Sequence, residues 1–395
     1  MILPFEFASI PKIIFGAGKL SELYKIIPLY GNNVLFIIGE SSLKKSGTWD
    51  KIVENMETLG IDFSHVSVSS EPSPSVIDEY AAQYREKNLD LIISIGGGSV
   101  MDSGKALSAM IPKQDSIKNY LEGVGTKKPD GEKIPFIAIP TTSGTGSEAT
   151  KNAVISQVGK EGFKKSLRHD NYIPNIAIID PELTLSCPPS ITSACGMDAF
   201  TQLYGSYVST KANPMTDALA YSGMKYMKDN LIPACTDAQD DIEVRTALAY
   251  GSLISGITLA NAGLGIVHGF ASSIGGLFDI PHGLVCGTLL AEAVKMNIEK
   301  LKEMGEKGKD SLRKHAKIGA LLANETGSID TDMSKYLEIL ITSLDNWTKT
   351  LHLERLGKFG IMEQDIDKIV EKTGLKNNPV NLSSKDIAEI LKKRL

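Results

Sequence analysis

Four residues in the second half of this 395-residue chain have the types and spacing of a metal site. In CGMDAFTQLYGSYVS (195–209) the apolar spacing predicts a helix, which sets Asp198 and Gln202, at i and i+4, on one face. Further along, NAGLGIVHGFASSIGGLFDIPHGLVCG carries His268 and His282, fourteen residues apart, in an apolar, glycine-rich setting that would bury them. Two neutral imidazoles and a carboxylate make the ligand set of Fe(II) sites that keep open positions, and Zn(II) accepts the same donors. Taken singly, the same residues also read as hydrogen-bonded core histidines and a helix-capping aspartate. The four cysteines, Cys187, Cys195, Cys235 and Cys286, are far apart and lack CxxC spacing. They read as reduced thiols packed as small hydrophobes, not as a disulfide framework or a thiolate metal site.

The first half carries a different chemistry. Directly after LIISI, the turn Gly96-Gly97-Gly98-Ser99 opens VMDSGKALSAM, whose spacing predicts a helix from around Val100. Glycines let a backbone approach a pyrophosphate, and free amides at a helix N-terminus stabilise its charge. The turn departs from the GxGxxG fingerprint, because the third glycine would fall at Met101 and the turn does not follow the first strand. It is a candidate phosphate loop. A second loop, PTTSGTGSE (140–148), also follows an apolar strand and could line the same crevice, or serve as a capped helix start. Near the end of the second strand, FIIGESSLKKSG (36–47), Glu40 could bind ribose hydroxyls and repel a 2′-phosphate, which would favour NAD.

These residues need a frame. NVLFII (33–38), FSHVSV (63–68), LDLIISI (89–95), IPFIAI (134–139) and IAIID (176–180) predict strands, with helices over 49–60 and 75–88 between them. That alternation predicts a parallel sheet in an α/β domain. After DPELTLSCPPS the strand signals fade into Ala-, Leu- and Lys-rich helical segments, so the chain divides into 1–187, an α/β domain that carries the candidate phosphate loop, and 188–395, an all-α domain that carries the candidate metal ligands. At this length two domains and a cleft are the default. Composition is that of a globular enzyme, 42% hydrophobic and 23% charged, and the net charge of −5 argues against nucleic acid or anionic membranes as partners. The start, MILPFEFASIPKIIFGAG, lacks a basic region before an unbroken apolar core, and no stretch approaches the roughly 20 apolar residues of a membrane span, so a cytoplasmic protein is expected.

GGGSVMDSGKA (96–106), PTTSGTGSEAT (140–150), GMDAFTQ (196–202) and HGFASSIGGLFDIPHG (268–283) together resemble the iron-containing (group III) alcohol dehydrogenase family, and the match runs through most of the chain. The resemblance implies a dehydroquinate synthase-like two-domain fold with cofactor and metal meeting in the cleft. It implies that Gly97, Gly98 and Ser99 hold a pyrophosphate, that Asp102 lies on the nicotinamide side, and that Thr141 and Thr142 approach the adenosine half. Asn152 and Lys164 align with polar cofactor contacts of the family, with Lys165 competing for the second position. Asp198, His268 and His282 match three family metal ligands, and Gln202 stands at the fourth, where the family has histidine. Ser272 replaces a further histidine near the metal.

The implied activity is metal-assisted, NAD(P)-dependent interconversion of a primary alcohol and its aldehyde, with Asp198, His268 and His282 as the catalytic set and Fe2+, or else Zn2+, as the ion. A glutamine carbonyl is a weaker donor than imidazole, so a three-residue site with water, or looser binding, is expected. Aligned on the strand end, Gly39 occupies the family's discriminating position and leaves room for a 2′-phosphate, with Lys44 and Lys45 nearby, a slight lean to NADP. Competing readings are a metal-independent reductase like the maleylacetate reductases, a dehydroquinate synthase-like lyase, and a nucleotide-binding protein that has lost catalysis. The partner is a small alcohol or aldehyde, and the family's habit implies a homo-oligomer, dimer or larger.

Overall fold

The computed structural model describes residue 2 and residues 4–395. Its first half is a parallel sheet of six strands: β1 (Lys12–Phe15), β2 (Asn33–Gly39), β3 (Asp62–Val68), β4 (Leu91–Gly96), β5 (Phe136–Pro140) and, after a two-stranded hairpin, β8 (Ile176–Ile179). The order across the sheet is β1-β8-β5-β4-β2-β3. The central strands are β-branched and buried on both faces, as helix-covered parallel strands must be. In β2, Leu35 and Ile37 join the core on one side of the sheet while Val34, Phe36 and Ile38 join the core on the other. Helices α1 (Thr48–Leu59), α2 (Pro74–Tyr84) and α3 (Gly98–Met110) are the crossovers. Gly60, in the left-handed region at φ 65°, stops α1, and Ser73 caps α2 with Pro74 in its first turn.

Three sequence expectations change. The helix after the glycine turn begins at Gly98 instead of near Val100, with Gly97 as its N-cap. Strand β1, in IPKIIF, is an addition, and so is the antiparallel hairpin β6 (Asn152–Gln157) and β7 (Phe163–Arg168). The hairpin is half polar, and only alternate residues such as Ala153, Ile155 and Leu167 reach the core, so it lacks the continuous apolar run that marks the sheet strands.

From Pro189 onward the described residues form helices and turns only. The main helices are α4 (Pro189–Val208), α5 (Pro214–Lys228), α6 (Ile242–Ala262), α7 (Ile266–Leu277), α8 (His282–Glu303), α9 (Lys309–Leu322), α10 (Met333–Thr350) and α11 (Ser384–Lys393). Pro188 is the N-cap of α4 and Pro189 its first residue, so the two prolines start this helix as well as ending the preceding turn. A single large apolar core unites these helices. Among the described residues no single helix is long and apolar enough to cross a membrane.

Two contacts lock the halves. Gly159 N donates to Gly276 O at 3.3 Å, fixing the hairpin to the end of α7. In the second loop Gly146, at φ +60°, lies against Gly256 of α6 so closely that a Cβ on Gly256 would meet the Gly146 carbonyl oxygen at 2.1 Å. Only hydrogens fit there. We predict that Gly256→Ala costs about 1–3 kcal/mol of stability in chemical denaturation, the usual range for overpacking. A variant as stable as the parent would show that this contact does not hold the loop.

Candidate active site

The sheet delivers its loops to one end. A cavity of about 620 Å3 is lined by residues that follow the carboxyl ends of five strands: among them Gly18, Ser42, Gly97, Thr141, Thr142 and Asp180. This is where open α/β sheets bind ligands, and the volume lies in the range of small-molecule sites. The glycine turn sits at its wall. A Cβ on Gly98 would meet Thr145 Cγ2 at 2.7 Å, so the absence of a side chain is what lets the second loop lie on the start of α3. Thr141 N donates to Gly96 O at 2.9 Å, and Ser147 Oγ donates to Asp102 Oδ1 at 2.6 Å, joining the two loops again.

Beneath them lies Lys105, with its ammonium fully withdrawn from solvent. Its Nζ donates to Ser147 O at 2.7 Å, Thr150 Oγ1 at 2.8 Å and Asn152 O at 2.6 Å, and stands 3.8 Å from Asp102. Burial pulls its pKa down to about 8, opposed by the carboxylates of Asp102 and Glu148. The same burial raises Asp102 and pushes Glu148 up to about 7. Lysine here acts as a hub that satisfies loop carbonyls no water can reach. Asn152 belongs to this foundation: its carbonyl holds Lys105, and its amide faces Ser166 Oγ at 3.5 Å.

Other expected cofactor residues are placed as follows. Gly97, Thr141 and Thr142 line the cavity, and Ser99 sits partly open in the first turn of α3. Gly39 ends β2, while Glu40, Lys44 and Lys45 are exposed. The cavity wall beyond β2 is made instead by Ser42, Ser46, Thr48 and Lys51. Sequence reasoning misses Lys51 because it belongs to α1, a helix that reads only as a crossover. Of the competing lysines, Lys164 is buried and pairs with Glu71 against α7, whereas Lys165 is exposed.

The helical half contributes the second cluster. Asp198 on α4, at 2% exposure, His268 in the first turn of α7 and His282 at the start of α8 converge. His268 Nε2 is 3.2 Å and His282 Nε2 3.7 Å from Asp198 Oδ1. Cys286, one turn after His282, completes a group whose potential ligand atoms all lie within 4.8 Å of one another. Its Sγ is 3.6 Å from His268 Nε2. Reading all four thiols as packing residues leaves Cys286 out, although its i+4 spacing from His282 is a usable signal. Among the cysteines, all of them free, Cys187, Cys195 and Cys235 are partly buried and Cys286 is fully so.

Burial pushes His282 down to about 3 and lowers His268, against the opposing pull of the Asp198 carboxylate on both rings. Burial would raise Asp198, but the facing imidazoles and the Cys286 thiol overrule it and hold the carboxyl down at about 2. A carboxylate, two imidazoles and a thiol grouped within 4.8 Å of one another, three of them buried and His282 partly open, fit a divalent cation. The buried Nδ1 of His282 finds no protein partner.

Gln202 has a hydrogen-bond partner of its own. Its Oε1 accepts from Ser255 Oγ of α6 at 2.9 Å, and the same hydroxyl lies 3.5 Å from Gly144 O in the second loop. Ser272 Oγ donates to His268 O at 2.8 Å and accepts from Lys376 Nζ at 3.3 Å. The two clusters are neighbours: a Cβ on Gly144 of the second loop would touch Cys195, one helical turn before Asp198.

Comparison with known proteins identifies the family. The family model described as iron-containing alcohol dehydrogenase matches residues 11–181, and the model of that family's C-terminal region matches 192–395. An NADPH-dependent butanol dehydrogenase of Clostridium saccharobutylicum is 31% identical, over 96% of this chain and 95% of its own. An NAD-dependent methanol dehydrogenase of Bacillus methanolicus is 28% identical, over 98% of each chain. The solved structure of an iron-containing alcohol dehydrogenase from Thermococcus thioreducens superposes with a TM-score of 0.84 at 26% identity, covering 98% of this chain and 99% of the other. With both halves matched end to end, this chain belongs to the iron-containing alcohol dehydrogenase family.

Proposed function

We propose that this chain moves hydride between a primary alcohol and its aldehyde, with a nicotinamide dinucleotide in the cavity at the strand ends and a divalent cation on Asp198, His268 and His282. The observation that carries the reading is the convergence of one carboxylate and two imidazoles, from three different helices, beside the loop that lines that cavity. Bound there, the cation supplies Lewis-acid polarisation of the substrate oxygen, and the dinucleotide supplies the hydride acceptor or donor.

The chain's own part is positioning and exclusion of water. Gly97 and the free amides at the start of α3 take the pyrophosphate, with Gly98 and Ser99 shaping that turn and Thr141 and Thr142 adding hydroxyls from the facing wall. Asp102 holds the second loop through Ser147, and Lys105 and Asn152 hold both loops from below, so these residues keep the cavity in shape. Lys164, paired with Glu71 and packed on α7, stands on the metal side of the cleft. Gln202 ties the metal-bearing α4 to α6 and the second loop, which supports a positioning role for it in place of ligation. The Ser272 hydroxyl gives its proton to its own helix and accepts a hydrogen bond from the Lys376 amine, which burial pulls down to about 8.

For the cofactor, the lean to NADP now rests on Lys51 with Ser42, Ser46 and Thr48. A cation and three hydroxyls at the end of the second strand suit a 2′-phosphate, and Glu40, which would oppose one, is exposed outside that wall. The division at 187/188 puts the dinucleotide on one side and the ligands on the other. Four free thiols support a cytoplasmic enzyme.

Two outcomes are expected. His268→Ala and His282→Ala should each fold, by circular dichroism and thermal melting, but retain less than a tenth of the parent's bound metal and activity. Unchanged metal content in either would remove that residue from the ligand set. Lys51→Ala should raise KM for NADPH about tenfold, equivalent to about 1.4 kcal/mol, and leave KM for NADH near the parent value; equal effects on both would place the 2′-phosphate elsewhere.

A further inference from the structure

The buried thiol of Cys286 has no task in the function proposed above. It lies on α8 one turn beyond His282, inside the carboxylate and imidazole cluster. A tetrahedral zinc with nitrogen and oxygen ligands at about 2.0–2.1 Å and sulfur at about 2.3 Å holds nitrogen and oxygen about 3.3 Å apart, and nitrogen and sulfur about 3.6 Å apart. The corresponding separations are 3.2 Å for His268 Nε2 to Asp198 Oδ1, 3.7 Å for His282 Nε2 to Asp198 Oδ1, and 3.6 Å for Cys286 Sγ to His268 Nε2. These three separations match a coordination shell, and all four atoms lie within 4.8 Å of one another. Gln202, by contrast, has its carbonyl oxygen engaged by Ser255.

We propose that Cys286 is the fourth protein ligand of the metal centre, in the place that Gln202 leaves open, and that its sulfur turns the site from ferrous iron toward zinc or cobalt. The proposal rests on the assignment of Asp198, His268 and His282 as ligands. As the metal–sulfur bond forms, the thiol S–H bond breaks and its proton leaves to solvent, with no change of oxidation state. Charge balance favours this. Asp198 alone leaves a buried dication with a net positive charge. A thiolate brings cation and ligands to neutrality, the arrangement least costly to bury. Thiolate is also the softest donor in the set, which selects zinc over the harder ions among divalent metals. Zinc that gains a fifth ligand in the transition state still admits a substrate oxygen.

The test is a titration of metal-free protein with Co(II), followed by electronic absorption. The parent should show the visible bands of a tetrahedral centre and, in the near ultraviolet, a sulfur-to-cobalt charge-transfer band. In Cys286→Ser the ion should still bind, at least tenfold more weakly, without that band. Visible bands with no charge-transfer band in the parent would overturn the proposal while leaving the three-ligand reading intact. A serine variant that binds cobalt with unchanged affinity and spectrum would overturn it in the same way. No cobalt binding by the parent would end both. Because the parent spectrum alone can refute the idea, a serine variant that fails to fold does not shield it.

Discussion

A carboxylate carried into an apolar helical interior has to be compensated, and the placement of Asp198 is the constraint around which this molecule is arranged. With 2% of its surface exposed, Asp198 cannot rely on water. It is met by imidazoles from the starts of α7 and α8, at the two ends of the glycine-rich segment that joins them. Burial disfavours the charged form of both imidazoles, and their nitrogens face the carboxylate at 3.2 and 3.7 Å, where a cation would satisfy all three groups at once. The cluster is a poor stabiliser of an empty fold and a good receptor for a metal.

The same economy of polar groups governs the other half. Lys105 is buried where the two cofactor loops meet, and its ammonium satisfies carbonyls of Ser147 and Asn152 that the loops could not otherwise hydrogen-bond. The Gly146–Gly256 contact then brings the second loop onto α6, and Ser255, adjacent to Gly256, reaches both Gly144 and Gln202. The cavity wall and the helix that carries Asp198 are thus set against each other by a short chain of close contacts.

Much of this is legible in the sequence, for physical reasons that differ by element. Strands β2, β4, β5 and β8 are buried on both faces and so announce themselves as unbroken apolar runs, while β1, as short as β8, is only partly buried and the β6–β7 hairpin is too polar to do so. Asp198, His268 and His282 are readable because buried polar residues in apolar segments need a partner. Cys286 is not, since a thiol counts as an apolar residue until a neighbour shows otherwise. Glu40 and Lys51 illustrate a second limit. Which charged side chain faces the dinucleotide depends on how α1 returns over the sheet, and the strand end by itself points equally to Gly39, Glu40, Lys44 and Lys45. Gln202 shares its helix face with Asp198 as expected, yet its partner comes from α6, a contact no local pattern encodes.

The proposed chemistry requires a cation lying among Asp198, His268 and His282 at the edge of the dinucleotide cavity. The most direct measurement is anomalous X-ray diffraction at the absorption edge of zinc or cobalt, from crystals grown with that metal and a nicotinamide dinucleotide. A single strong anomalous peak bonded to these three side chains, with the nicotinamide ring ending beside it, is the result expected. A peak elsewhere in the molecule, or a dinucleotide whose ring points away from the cluster, would contradict it.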